Sequence, residues 1–160
     1  MSRGSEKSRI VLSVLDRLLD DDPQSSQEQP LEESSQLKLI QQAIRRDLEN
    51  LLNTRSRCTA WLSEFTELEN SLVNYGLPDF TASGLNAASD PDILVHAIYR
   101  AIELFEPRLT DVKVRHVTDE FYFNRIFQFR IEATLIINEK RHLVLYDSVL
   151  ESSTGQFNVK

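Results

Sequence analysis

The sequence predicts an α+β fold, with N-terminal helices packed on one face of a C-terminal antiparallel β-meander. Apolar residues recur at helical spacing in the segments up to Phe105. Glu106-Pro107-Arg108 then ends the last helix, because Pro107 lacks an N–H and pushes Glu106 out of the α region. Beyond that corner the apolar period drops to two, and the alternating runs are joined by short polar turns. Consecutive strands joined in this way form an antiparallel sheet with one polar face. At 160 residues the chain has room for one domain with a modest core.

The first element is an amphipathic helix. Val11, Val14, Leu15 and Leu18 fall on one face, and Ile10 and Leu19 widen the stripe. Asp20-Asp21-Asp22 opposes the dipole at its C-terminal end, so the helix needs a surface to lie on. Residues 24–30 and 32–35 have almost nothing to bury, which is linker composition. A helix that docks on its own domain rarely needs so long and polar a connection, so the stripe is read as an anchor for a groove on another subunit. The chain thus divides into residues 1–34, an amphipathic helix with its linker, and residues 35–160, a single domain.

The domain opens with Ser35 as N-cap of a helix whose stripe is Leu37, Ile40, Ala43, Ile44, Leu48, Leu51 and Leu52. Arg45, Arg46, Arg55 and Arg57 gather towards its C-terminal end, where positive charge suits the dipole, and read most simply as a solvated basic face. A further helix is expected from Thr59 to Tyr75, with Trp61, Phe65, Leu68 and Leu72 on one side. Gly76 closes it in the left-handed region and Pro78 prevents continuation. Asp90 caps the last helix, Pro91 opens it, and Leu94, Ile98, Ala101, Ile102 and Phe105 form its stripe. At the corner that follows, Glu106 and Arg108 read from composition alone as two solvated charges flanking Pro107.

In the sheet, Val112 and Val114 alternate with Lys113 and Arg115, and Asp119-Glu120 makes a turn. Phe127, Phe129, Ile131, Ala133, Leu135 and Ile137 then alternate with polar residues, and residues 138–141 form a second turn. Leu143, Leu145 and Val149 are expected to carry the third strand inward, and Phe157 and Val159 a short last strand after Gly155.

Composition excludes several function classes. A net charge of −7 and a pI near 5.0 argue against a nucleic-acid partner, which calls for a basic face. Cys58 has no second cysteine to pair with, which favours a reducing compartment such as the cytoplasm. The apolar run from Ile10 to Leu19 is broken by charges and too short to span a bilayer, so no direct membrane insertion is expected. Glu106, Asp111, Asp119, Glu120 and Glu132 could in principle serve a glycosidase, but none sits in a recognisable loop-framed cleft. His96, His116 and His142 lack metal-ligand spacing, Ser148 lacks a nucleophile-elbow context, and Cys58 has no identifiable partner histidine. No catalytic, cofactor-binding or metal-ligating residue is therefore assigned.

Several stretches, in sequence order, resemble one family. They are Ser13-Val14-Leu15-Asp16-Arg17-Leu18-Leu19-Asp20, the run Asp47 to Arg55, the run Asn74 to Phe80, Glu106-Pro107-Arg108, and Asp147-Ser148. Together they resemble TssE, the small baseplate subunit of bacterial type VI secretion systems, which is similar to a baseplate wedge protein of contractile phage tails. Asn50 departs from the pattern, since many relatives are expected to carry an aromatic residue there.

The resemblance implies a non-catalytic structural subunit of a cytoplasmic, membrane-docked baseplate. Its implied partners are wedge subunits similar to TssF and TssG, with TssK as a further candidate, and the sheath proteins TssB and TssC. Glu106, Pro107 and Arg108 are carried over as the baseplate contact, and Arg46, Asp47 and Arg55 as candidates to pair with Glu106 or a neighbour. Strand physics adds two edges for sheath docking by β-augmentation: Val112–Val114, and the last run with Phe157 and Val159. The other readings are a regulatory binding protein, since a bacterial anti-adaptor shares a small α+β fold of this kind, and a lysozyme-like glycosidase.

Overall fold

The computed structural model describes residues 33–56, 64–79, 91–117, 126–137, 140–151 and 154–160. The expected N-terminal helix, with Val11, Val14, Leu15 and Leu18, lies outside them, as do the Asp90 cap and the Asp119-Glu120 turn. The first described helix, α1 (Glu33–Asn53), already includes Ser35, which is therefore a helical residue and not the N-cap. Ile40, Ile44, Leu48, Leu51 and Leu52 bury its stripe as the spacing predicts.

The expected helix reaching Tyr75 is corrected. Among the described residues of that stretch there is only a one-turn helix, α2 (Thr66–Glu69), and a 3-10 turn over Leu72–Asn74. Local side chains compete with a continuous helix here. The Ser71 hydroxyl donates to the Leu68 carbonyl at 2.9 Å and accepts from the Val73 N–H at 3.4 Å, and the Asn74 amide donates to the Leu68 carbonyl at 2.8 Å. Phe65 and Leu72, expected on a packed face, are exposed.

The segment returns to α1 just beyond. The Leu77 N–H donates to the Thr54 carbonyl, and the Ser56 N–H donates to the Leu77 carbonyl, both at 2.9 Å. Gly76 makes that approach possible: its φ is +108°, and a Cβ there would overlap the Thr54 carbonyl. Leu77 is thereby driven fully into the core.

Helix α3 (Pro91–Phe105) buries Leu94, Ile98, Ala101 and Ile102. Four strands follow: β1 (Leu109–Val117), β2 (Ile126–Ile137), β3 (Lys140–Glu151) and β4 (Gln156–Val159). They pair in the order β1-β2-β3-β4, every pair antiparallel, which is the predicted meander. β1 carries an irregularity between Thr110 and Lys113, where Asp111 has a φ of +53°. Helices α1 and α3 cover one face, and Phe129, Ile131, Ala133, Leu135 and Ile137 of β2 point into it as the alternation predicts.

The inward set of β3 is the reverse of the expected one. Val144, Tyr146, Ser148 and Leu150 are buried, whereas Leu143 is 79% and Leu145 49% exposed. Leu143-Val144-Leu145 is apolar at every position, so local alternation fits either face. Pairing decides, with Val144 opposite the inward Ala133 and Lys140 opposite Ile137. The turn is accordingly shorter than residues 138–141, since Lys140 and Arg141 are already paired.

The ladder also fixes which backbone groups face outward. Asp147 and Lys160 exchange both backbone hydrogen bonds, at 3.1 and 2.8 Å. Alternation from that pair turns the N–H and C=O groups of Val114 away from β2.

Gly76→Ala is expected to cost more than ~1 kcal/mol, because the left-handed φ and the Thr54 carbonyl both oppose a side chain. Urea unfolding of the two proteins measures it, and an unchanged midpoint would mean that the Thr54 turn yields freely.

Candidate functional site

The site is built where the end of α3, the start of β1 and the middle of α1 meet. The Glu106 N–H closes the last turn of α3 onto the Ile102 carbonyl at 2.9 Å, and the Leu109 N–H donates back to the Glu106 carbonyl at 3.1 Å. Pro107 at the apex is exposed, while Glu106 is only 4% exposed. This tight turn puts the side chains of Glu106 and Arg108 on the same side.

Arg108 grips Glu106 with two prongs. Its Nε donates to Oε1 and its Nη2 to Oε2, both at 2.5 Å, which is the bidentate geometry that favours arginine over lysine. The same Nη2 donates to Asp47 Oδ2 of α1 at 2.6 Å, and Arg46 reaches Asp47 Oδ1 at 3.3 Å. Two carboxylates, distant in sequence, thus share one guanidinium. The bond to Glu106, reinforced by Asp47, raises the Arg108 pKa against the opposing effect of its partial burial.

The surroundings are aromatic and partly dry. Tyr75 packs edge-on against Phe105 with centroids 5.2 Å apart, and its pKa is raised by burial and then by the charges of Asp47 and Glu106. Tyr146 donates to the Gln41 carbonyl at 3.3 Å, and its phenol is pushed up to about 12 by burial first and Glu106 second.

The corner is therefore not a pair of solvated charges. Glu106 lies beneath the surface with both oxygens engaged, and the outer part of Arg108, whose side chain is 29% exposed, shares the surface with Pro107. Of the candidates for pairing, Asp47 joins Arg108, whereas Arg55 bonds elsewhere.

A second polar seam was not legible in the sequence. The Asn53 amide donates to the Phe157 carbonyl at 2.9 Å and accepts from the Phe157 N–H at 2.8 Å. Arg45 donates to the Val159 carbonyl at 3.0 Å, and Arg55 to the Gly155 carbonyl at 2.8 Å. Two arginines of the supposed solvated face thus hold β4 against α1. This corrects the expectation of an open C-terminal edge: Phe157 and Val159 are buried, Asn53 takes both outward backbone groups of Phe157, and Arg45 takes the Val159 carbonyl. Asp147 pairs with Arg130 at 2.8 Å on the outer sheet face, while Ser148 points inward and its hydroxyl has no partner among the described residues.

Among the described residues no group of His, Cys, Asp and Glu could hold a metal, and no helix is long and apolar enough to cross a membrane.

Residues 39–140 match the family of the baseplate wedge protein gp25. The chain belongs to that family. The matched region of this gp25-family chain contains Asp47, the Glu-Pro-Arg corner and the first two strands, and it stops before Phe157 and Val159. A chain of a solved structure described as the baseplate complex from the type VI secretion system is similar at a TM-score of 0.49 and 13% identity. The similarity covers 74% of this chain and 99% of that one. No curated protein matches.

Arg108→Ala is expected to destabilise the domain by about 2–4 kcal/mol, because it leaves the buried Glu106 without its counter-charge. Chemical denaturation measures the loss. Alkali tests the aromatic surroundings. With its folded pKa above the ordinary 10.0, Tyr146 contributes stability that is complete below pH 10 and lost as pH rises towards about 12. The decline across that window is expected to be shallower in Tyr146→Phe.

Proposed function

We propose that this chain is a non-catalytic structural subunit of a type VI secretion baseplate. It contacts the wedge subunits through Pro107 and the outer part of Arg108, and offers the first docking surface to the contractile sheath. Membership of the baseplate wedge family is the observation that carries this reading. The corner geometry supports it: Glu106 and Asp47 hold the Arg108 guanidinium in a fixed orientation beside an exposed proline. A surface fixed before contact loses little side-chain entropy on association. Glu106 serves that contact from below, by orienting Arg108.

The wedge partners in this reading are proteins similar to TssF and TssG, with TssK next to them, on the cytoplasmic side of the membrane-docked assembly. The sheath partners are similar to TssB and TssC. Because α1 occupies the outer side of β4, the edge offered to the sheath is β1, with the outward groups of Val114. The stripe Val11, Val14, Leu15 and Leu18 serves as a tethered anchor on a neighbouring subunit.

Three variants test these contacts. Pro107→Ala is expected to change stability by ~1 kcal/mol or less, yet weaken co-purification with the wedge subunits at least tenfold. Undiminished wedge binding would remove the corner from the interface. Val114→Pro takes away an outward N–H without breaking the ladder to β2, so the purified protein should keep its circular dichroism while fluorescent sheaths fail to form. Normal sheaths would refute the β1 edge. Removal of residues 1–32 leaves all of α1, and is expected to preserve cooperative unfolding while weakening complex formation. A large fall in melting temperature with unchanged partner binding would place the stripe in the core instead.

A further inference from the structure

The side chains of β2 and β3 that point away from the helices make the outer face of the sheet. Leu143 is 79%, Leu145 49% and Ile136 50% exposed there. Leu143 and Leu145 follow each other on that face of β3, and Ile136 is the diagonal cross-strand neighbour of Leu143, so the three form one apolar strip. Cations flank both of its ends. Arg141, opposite Ile136, stands at one, and Lys113 and Arg115 of β1 lie across the sheet at the other. None of these three has a carboxylate partner among the described residues.

The chain carries a segment of matching chemistry. Val11, Val14, Leu15 and Leu18 form an apolar stripe, and Asp20-Asp21-Asp22 follows it directly. A helix from Ile10 to Leu19 is about 15 Å long, and Arg141 to Leu145 spans about 13 Å, so stripe and strip agree in length. The path of the chain fits as well. Asn53, at the end of α1, bonds to Phe157 beside Leu150, and Gln41 accepts from Tyr146, so the start of α1 points towards the Arg141 end of β3. Residues 23–32 reach up to about 33 Å when extended, and the two faces of the sheet hold layers about 20 Å apart. A connection of the usual few residues falls short of that crossing. The long polar linker, which argues against docking on the helix side, is therefore what docking across the sheet requires.

We propose that in the isolated chain residues 10–22 dock on the outer face of their own sheet. The stripe lies over Leu143, Leu145 and Ile136, and Asp20-Asp21-Asp22 lies beside Arg141, the end from which the linker returns to α1. The contact is small and its ion pairs are at the surface, so a larger groove on another subunit displaces it readily. On assembly the neighbouring subunit takes the stripe over, and this exchange alone rests on the role proposed above. Until then the stripe and the strip cover each other, and neither is left as an exposed apolar patch.

The test uses the full isotopically labelled chain with Cys58→Ser and Ser13→Cys, carrying a nitroxide at position 13, on the side of the predicted helix away from the stripe. The nitroxide should broaden the resonances of Leu143, Leu145 and Ile136 far more strongly than those of Leu94 and Ile98, which lie in the helix layer. A mixture of labelled chain without nitroxide and unlabelled chain with it should show no broadening, since the contact is within one chain. Leu143→Asp, a change outside the core, should abolish the effect. Arg141→Glu should reduce it about threefold, and Asp21→Arg added to that variant should restore it. Broadening that is strongest elsewhere, absent, or present in the mixture would overturn the proposal, because the segment then lies on another face, stays undocked, or docks on a second copy. So would undiminished broadening in Leu143→Asp. No other subunit is present, so none of these outcomes bears on the baseplate role.

Discussion

The grip of Arg108 on Glu106 and Asp47 is the constraint to which the other parts of the corner answer. A carboxylate that is 4% exposed cannot stay charged without a partner, and the guanidinium two residues on supplies both prongs at 2.5 Å. Bringing Asp47 to the same nitrogen ties α1 to the junction of α3 and β1. Compared with apolar packing, such a cluster adds little net stability. Its removal in part is costly, and its geometry is narrow. The consequence is positional: the direction in which β1 leaves the corner and the face that α1 presents are set together.

The seam between α1 and β4 performs the same task at the other side of the sheet. An edge strand of four residues is short, and its outward groups are a liability if left open. Asn53 satisfies both the donor and the acceptor of Phe157, and Arg45 and Arg55 take two further carbonyls. The helix that closes the core over Leu48, Leu51 and Leu52 thus closes one sheet edge with its polar side chains. Among the described residues the sheet is asymmetric, with β4 held by side chains of α1 and the outward groups of Val114 turned away from β2.

In the assembly role proposed above, that asymmetry has a use. Surfaces that meet neighbours must be rigid enough to hold a register and must not pair indiscriminately before assembly. Here the exposed proline and partly exposed arginine rest on a buried charge cluster.

By itself, the sequence determined the kinds of elements and most of their order, because these follow from local rules. Pro107 stops a helix wherever it occurs, a period of two in residues 127–137 permits only one buried face, and Gly76 marks the left-handed turn. It also placed a charged corner at residues 106–108 but could not show which charge is buried. Only the tertiary structure decided the rest, because the deciding contacts link residues 61, 104 and 114 positions apart. Leu143-Val144-Leu145 is apolar throughout, so its facing was settled by the partner strand and not by its own pattern. Arg45, Arg55 and Asn53 look like surface residues until β4 is folded against α1. Asp47 becomes part of the corner only when α1 is packed beside it, and no periodicity in the chain encodes that approach.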